Sequence, residues 1–351
     1  VIELDPYREL PNPGETAIIE VRPPVAIIGA GISGLTAARL LAERGFPVTV
    51  YDKGRKPGGR SSTRHEGSYS FDHGCQYFTA RDKRFQRYVE AWAEQGLISI
   101  WNAKRASCLR GVVSRVEDDV ARYVGVPGMS AIARNLAKGL DVRTASPVTS
   151  IVRNNLGWRI AHPDPSIEQY DVVLISTPPA QALTFLDASP HLKEAVAKAT
   201  MAPCWTAMAT FDYDIEIPFD GAHFSASPIV WAARDSSKPG RSAHECWVIQ
   251  ASPSWSQEHI EDHPDAVSKF LLAEFFSASG INPMPAQFLG AHRWRYASPL
   301  EPLRVGCLWD HETGLGVCGD WCHSARMEGA FLSGLMLAER VIDEWPRLRR
   351  P

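Results

Sequence analysis

The chain has 351 residues, 44% hydrophobic and 22% charged, proportions of an ordinary globular protein that exclude disordered, collagen-like and fibrous chains. Its 37 Lys and Arg against 40 Asp and Glu leave a formal charge of −3, no field for capturing nucleic acid or an anionic membrane, so a small-molecule partner is expected. The longest apolar runs fall far short of the roughly 20 residues that span a bilayer, and no basic stretch precedes an apolar export segment.

Length alone suits two domains, or one large domain carrying an inserted second. Seven cysteines, an odd number without paired spacing, suit a reducing, cytoplasmic setting better than a disulfide framework. A start at Val1 reads as a trimmed or processed chain, and residues 1–22, with Pro6, Pro11, Pro13 and Gly14, read as an extended arm without chemistry.

From residue 25 the pattern sharpens. Val25 to Ile28 is a short apolar strand, Leu35 to Arg44 follow at helical spacing, Gly45 caps that helix, and Val48 to Asp52 form a second strand. A helix over Phe85 to Gln95 and a hairpin over Ile98 to Val113 interrupt this unit. A helix opening at Pro127 and running to Ala137 comes next, with strands near Asp141–Thr144, Val148–Val152 and Trp158–Ala161 and an apolar run over Val172–Ser176. Alternating stretches between Thr206 and His292 predict an antiparallel sheet with one helix over Asp265–Ser277. Leu315 to Asp320 reads as strand then turn, and Gly329 to Ile342 as a closing helix. The expected fold is α/β with two domains. A Rossmann-type nucleotide domain comes from 23–80, 120–200 and 300–351, and an antiparallel-sheet substrate domain from 81–119 and 201–299.

Between the first strand and helix stand Gly29, Gly31 and Gly34 in G-x-G-x-x-G spacing. Gly29 serves the tight turn, Gly31 the close approach of backbone to a pyrophosphate, and Gly34 helix–strand packing. Asp52 lies 23 residues after Gly29 at a strand end, where a carboxylate can accept ribose hydroxyls. Gly58-Gly59-Arg60 adds a glycine doublet and an arginine able to grip a phosphate with two bonds, which nicotinamide dehydrogenases do not usually need. At the far end, Gly319-Asp320 precedes a helix start at Met327-Glu328-Gly329-Ala330, whose amides could face the pyrimidine edge of a flavin.

Three such elements in this order resemble the glutathione-reductase-like FAD oxidoreductases, which include the amine oxidases. The segments Asp72 to Asp82, Gly128 to Ile132, Ser237 to Arg241, His292 to Ala297, and Cys318 to Cys322 with Glu328 to Ala330 narrow the likeness to the bacterial renalase family, over residues 24–342. The resemblance implies noncovalent FAD and a cytosolic enzyme. Its activity would be oxidation of the 2- and 6-dihydro isomers of nicotinamide dinucleotides, by hydride transfer to flavin N5 with O2 as electron acceptor. It places Ser33, Lys53, Arg60, Gln76, Tyr77 and Val148 against the cofactor, alongside Gly29, Gly31, Gly34, Asp52, Gly59, Gly319, Asp320, Glu328, Gly329 and Ala330.

Two positions depart from that family. Asp235 stands where renalases carry asparagine and Gln250 where they carry histidine, both in the substrate pocket, so Arg234, Asp235 and Gln250 are the candidate substrate-orienting residues. The added carboxylate of Asp235 could hold a substrate ammonium or act as a base, which keeps an amine oxidase, or another C–N or C–C dehydrogenating flavoenzyme, as the alternative. A non-catalytic FAD-binding protein is the third reading. Tyr77, Trp205, Trp231, Trp294 and Tyr296 are candidate pocket walls. Cys75 and Cys322 lie outside the motif of covalently attached flavins. Cys318 with Cys322, and His65, His73 and His292, form no metal constellation, so no metal is expected.

Overall fold

Val25–Ile28 is buried along its whole length, the condition of a strand whose sheet is covered on both faces. Val25 and Ile27 enter one core and Ala26 and Ile28 another, the alternation of a pleated strand. In the computed structural model, which describes residues 22–162 and 168–348, this strand sits in a six-stranded sheet. The expected arm over 1–22 lies outside the described residues except for its last one. Five strands run parallel in the order Asp141–Arg143, Val48–Tyr51, Val25–Ile28, Val172–Ile175, Leu315–Val317, and Leu308–Asp310 closes the edge antiparallel. By chain order this is the 3-2-1-4-5 arrangement of a Rossmann sheet. The order reverses between Val25–Ile28 and Val172–Ile175, so the crevice for a ligand opens beyond Ile28 and Ile175.

Helices Ile32–Glu43 and Met327–Leu348 cover one face. They cross closely because Gly334 has no side chain: a Cβ there would stand 2.1 Å from the Ser33 carbonyl oxygen. A three-stranded antiparallel sheet, Ser150–Asn154, Gly157–Ala161 and Glu168–Tyr170, packs on the other face through Trp158 and Ile160.

The second half is a seven-stranded sheet in the order Phe288–Pro299, Met201–Phe211, Glu245–Ala251, Ile229–Arg234, Gly221–Ser225, Arg105–Leu109, Val112–Arg115. It is antiparallel except where Gly221–Ser225 meets Arg105–Leu109. Helix Pro264–Ser279 covers one face, with Phe275 4.9 Å from the Trp247 ring. Against the other face docks a hairpin of the nucleotide half, Arg64–Glu66 and Tyr69–Phe71, whose Phe71 stacks on Phe288 at 5.6 Å. Residues 81–119 serve both halves. Helix Lys83–Glu94 buries Phe85, Val89 and Trp92 in the nucleotide-side core, whereas Arg105–Leu109 and Val112–Arg115 join the large sheet. Ile98–Ile100 pairs with Tyr123–Gly125 rather than within the expected hairpin.

Candidate active site

The turn after Val25–Ile28 is built from three glycines with different jobs. Gly29 adopts φ +111°, a conformation L side chains rarely take, and a Cβ on Gly34 would lie 2.1 Å from the Gly29 carbonyl oxygen. A Cβ on Gly31 would meet nothing within 4 Å, so its backbone faces open space. No side chain caps the helix that starts at Ile32 and no acidic residue sits in its first turn, which leaves its amides available to an anion. Asp52 ties this turn to the next strand, accepting from the Ala30 and Gly54 amides at 2.6 Å each.

The second glycine pair closes over the same helix end, with the Gly58 amide donating to the Ala30 carbonyl at 2.8 Å. Arg60 then reaches across the molecule. Its two terminal nitrogens donate to both Asp320 oxygens at 2.7 Å, and one also donates to the Ala297 carbonyl at 2.9 Å. Burial opposes the Arg60 charge, and Asp320 more than compensates, raising its pKa. The fork expected to grip a phosphate therefore grips a carboxylate, and Arg60 braces three distant segments around the cleft.

From Gly29 to Tyr296 runs a cleft of about 1680 Å³, beyond the roughly 300–1,000 Å³ of a drug-sized pocket and roomy enough for a dinucleotide with a substrate beside it. Its far wall lies on the large sheet, where Gln250 and His292 line the cleft and Thr206 between them is fully buried. Thr206 lies opposite Gln250 on one side and His292 on the other, so the three share a face. Gln250 donates to the Gly74 carbonyl and the Trp294 indole to the His73 carbonyl, both at 2.9 Å. Gly74 must be glycine, because a Cβ would stand 2.1 Å from the Arg60 carbonyl oxygen.

Beneath the Asp72–Gln76 segment lies a dry charged cluster. Lys238 donates to Asp235 at 2.5 Å and to Gln76 at 3.2 Å, and Arg241 pairs with Asp72. Asp72 also accepts from the Thr63 hydroxyl at 2.8 Å and the Met129 amide at 2.9 Å. Burial raises the Asp72 pKa, but Lys238, Arg241 and these bonds outweigh it and hold the carboxyl below its ordinary value. For Asp235 burial wins, with the Asp72 charge adding to it, and the pKa is raised. On the cleft wall, burial, His292 and Arg64 push His73 down to about 3, and burial and Arg64 push His292 to about 4. Both imidazoles are neutral in the physiological range.

An open glycine backbone at an uncapped helix end, continuous with a long aromatic-walled cleft, fits a flavin dinucleotide. Comparison with known proteins agrees. Residues 27–92 match the model of the NAD(P)-binding Rossmann-like domain, and residues 102–218 that of the flavin containing amine oxidoreductases. Renalase of Mus musculus is 24% identical over 336 residues, covering 89% of this chain and 96% of that protein. The chain is a renalase-like member of the flavin amine oxidase superfamily. It is thus an FAD-dependent oxidoreductase. Cyclohexylamine oxidase from Brevibacterium oxydans IH-35A shares the fold at TM-score 0.73 and 14% identity, over 93% of this chain and 100% of that one. Wild-type putrescine oxidase bound to putrescine does so at TM-score 0.68 and 14% identity, over 92% and 99%.

In this renalase-like chain the cleft wall includes Gly29, Gly31, Ser33, Asp52, Lys53, Gly59, Arg60, Val148, Gly319, Asp320 and Ala330, together with Gln250, Trp294 and Tyr296. The other candidates stand behind it. Gln76 is buried under Asp72, donating to the Asp72 and Gly74 carbonyls. Glu328 accepts from the Arg81 amide at 2.6 Å and the Asp82 amide at 2.8 Å, and a Cβ on Gly329 would stand 2.0 Å from the Ser324 carbonyl oxygen. Tyr77 and Trp231 pack on each other at 5.6 Å. Trp205 is wholly buried and donates to the His259 carbonyl at 2.8 Å.

The trio Arg234, Asp235 and Gln250 does not converge. Strand parity explains why: Gln250 shares the cleft face of its strand with Cys246 and Val248, whereas Arg234 lies opposite Trp247, which faces the covering helix. Arg234 sits 5.3 Å over the Trp247 ring and donates to the Ile215 carbonyl at 2.7 Å. Asp235 turns inward to Lys238. Neither side chain reaches the cleft, so neither is placed to orient a substrate. Cys75 lines the cleft as a thiol, its pKa pushed by burial to about 12, and Cys322 is fully buried. Lys238 and Arg64 received no role from the sequence. The Ser237–Arg241 segment was visible as a motif, but nothing in it announces a buried ammonium.

Proposed function

We propose that the chain oxidises dihydronicotinamide dinucleotide isomers, returning the aromatic nicotinamide dinucleotide and passing the electrons to O2 as peroxide. One observation carries this reading: among the described residues, every carboxylate on the cleft wall is already engaged. Asp52 is held by the Ala30 and Gly54 amides, Glu66 by Arg64, and Asp320 by Arg60. A substrate ammonium would find no free counter-ion there, which disfavours the amine oxidase reading. Among the described residues eight Lys and Arg line the same wall against three carboxylates, a charge balance suited to phosphate-bearing molecules.

Bound FAD supplies the hydride acceptor. The chain's own part is positioning. Removing hydride from a dihydropyridine restores its aromaticity and leaves no proton to abstract, so no base is required and holding the ring at the right distance carries the rate. Gln250, Trp294 and Tyr296 on the cleft wall supply an uncharged surface for that ring. Turnover in air tests the reading: the 2- and 6-dihydro isomers should consume oxygen and yield peroxide and NAD(P) in equal amounts. Oxygen uptake with primary amines and none with either isomer would replace it with the amine oxidase reading.

A further inference from the structure

We propose that Arg64, His73 and His292 form a phosphate-binding subsite at the substrate end of the cleft, taking the pyrophosphate arm of the incoming dinucleotide. The inference rests on the reading above for the identity of that substrate. The hairpin sets the geometry, since Arg64 pairs across it with Phe71, and Phe71 stacks on Phe288 at 5.6 Å. Two residues beyond Phe71, His73 meets His292 edge to face at 4.8 Å, and both rings contact Trp294, at 5.0 and 4.4 Å. Arg64, His73, His292 and Trp294 all line the cleft.

His73 is only 6% exposed, and its Nδ1 is buried without a hydrogen-bond partner, a group that gains from a ligand able to bond it. Arg64 engages Glu66 through Nε and one terminal nitrogen. Its other terminal nitrogen makes no hydrogen bond among the described residues and can meet an oxyanion.

The groups facing the two imidazoles are each other, Arg64 with its partner Glu66, and Asp72, which is itself held by Arg241, Thr63 and Met129. Burial keeps both rings neutral, reinforced at His73 by His292 and then Arg64 and at His292 by Arg64. A phosphate docking at Arg64 would offset that cation, turn both histidines into stronger donors, and so be bound by the remaining terminal nitrogen of Arg64 and by both imidazoles.

The FAD-loaded enzyme tests this with inorganic pyrophosphate as probe, read by the perturbation of the flavin absorbance. Wild type should bind it saturably. Arg64→Gln and His292→Gln should each weaken it by about tenfold or more, with flavin content and melting temperature close to wild type. Arg64 is 37% exposed, so its replacement leaves the interior packed. In parallel, the KM ratio of dihydronicotinamide riboside to the dinucleotide, large in wild type, should collapse in both variants. Unaltered pyrophosphate affinity together with an unaltered ratio overturns the subsite, even if the dinucleotide still reduces the flavin. Arg64-dependent pyrophosphate binding upholds it even if neither dihydropyridine reduces the flavin, an outcome that would sink only the substrate assignment.

Discussion

Lys238 Nζ lies 2.5 Å from Asp235 Oδ1, and neither side chain has any exposure to solvent. With Asp72 and Arg241 the pair forms two positive and two negative groups sealed between the halves of the molecule. Deleting one member leaves the others unmatched in a dry interior, which costs about 3–5 kcal/mol. Lys238→Met should therefore lower the melting temperature sharply. Asp235→Asn should cost less, because the amide oxygen can still accept from Lys238. Thermal denaturation of both variants checks the order, and equal losses would show that charge matching is not what holds the cluster.

The two cleft histidines set an acid limit. Their folded pKa values, about 3 for His73 and about 4 for His292, lie below the unfolded value of about 6.5. The unfolded chain thus binds more protons, and stability rises with pH across this window. The contribution is complete above about pH 6.5 and is lost progressively as pH falls toward the folded values. Denaturant unfolding at a series of pH values should show this slope, shallower in His292→Gln.

The glycines of the first turn separate cofactor binding from folding. Gly31→Ala adds a methyl into open space, so the protein should fold with normal stability and yet retain far less FAD. Gly34→Ala forces a methyl onto the Gly29 carbonyl and should lower stability itself. Flavin stoichiometry beside melting temperature distinguishes the two effects. Full FAD occupancy in Gly31→Ala would remove the pyrophosphate from this site.

Arg60→Lys keeps the charge but loses the two-pronged bond to Asp320 and the reach to Ala297. Asp320 is nearly buried, so the variant should be less stable by about 1–3 kcal/mol and should bind FAD more weakly, as measured by flavin release on dilution. A wild-type stability would mean that the brace is idle.

The nucleotide half was legible in the sequence because its signals are local: a four-residue apolar strand, a glycine turn and a helix at period 3.6 follow one another without interruption. Three adjacent strands of the large sheet, Met201–Phe211, Glu245–Ala251 and Ile229–Arg234, were legible as alternation. Phe288–Pro299 was not, because His292, Trp294 and Tyr296 alternate with Arg293 and Arg295, and no apolar row marks the buried face. The substrate end was the least legible. Whether Asp235 faces the cleft or the interior depends on strand register and on Lys238 turning back to meet it, and a linear motif carries neither. Arg64 escaped notice because its place on the cleft wall comes from a hairpin docking on a strand more than two hundred residues away.

The most direct measurement is anaerobic mixing of the FAD-loaded enzyme with dihydronicotinamide dinucleotide isomers and, separately, with a panel of primary amines, following the flavin absorbance. The expected result is rapid bleaching by at least one of the 2- and 6-dihydro isomers and none by the amines. Bleaching by an amine while every dinucleotide isomer leaves the flavin oxidised would contradict the account.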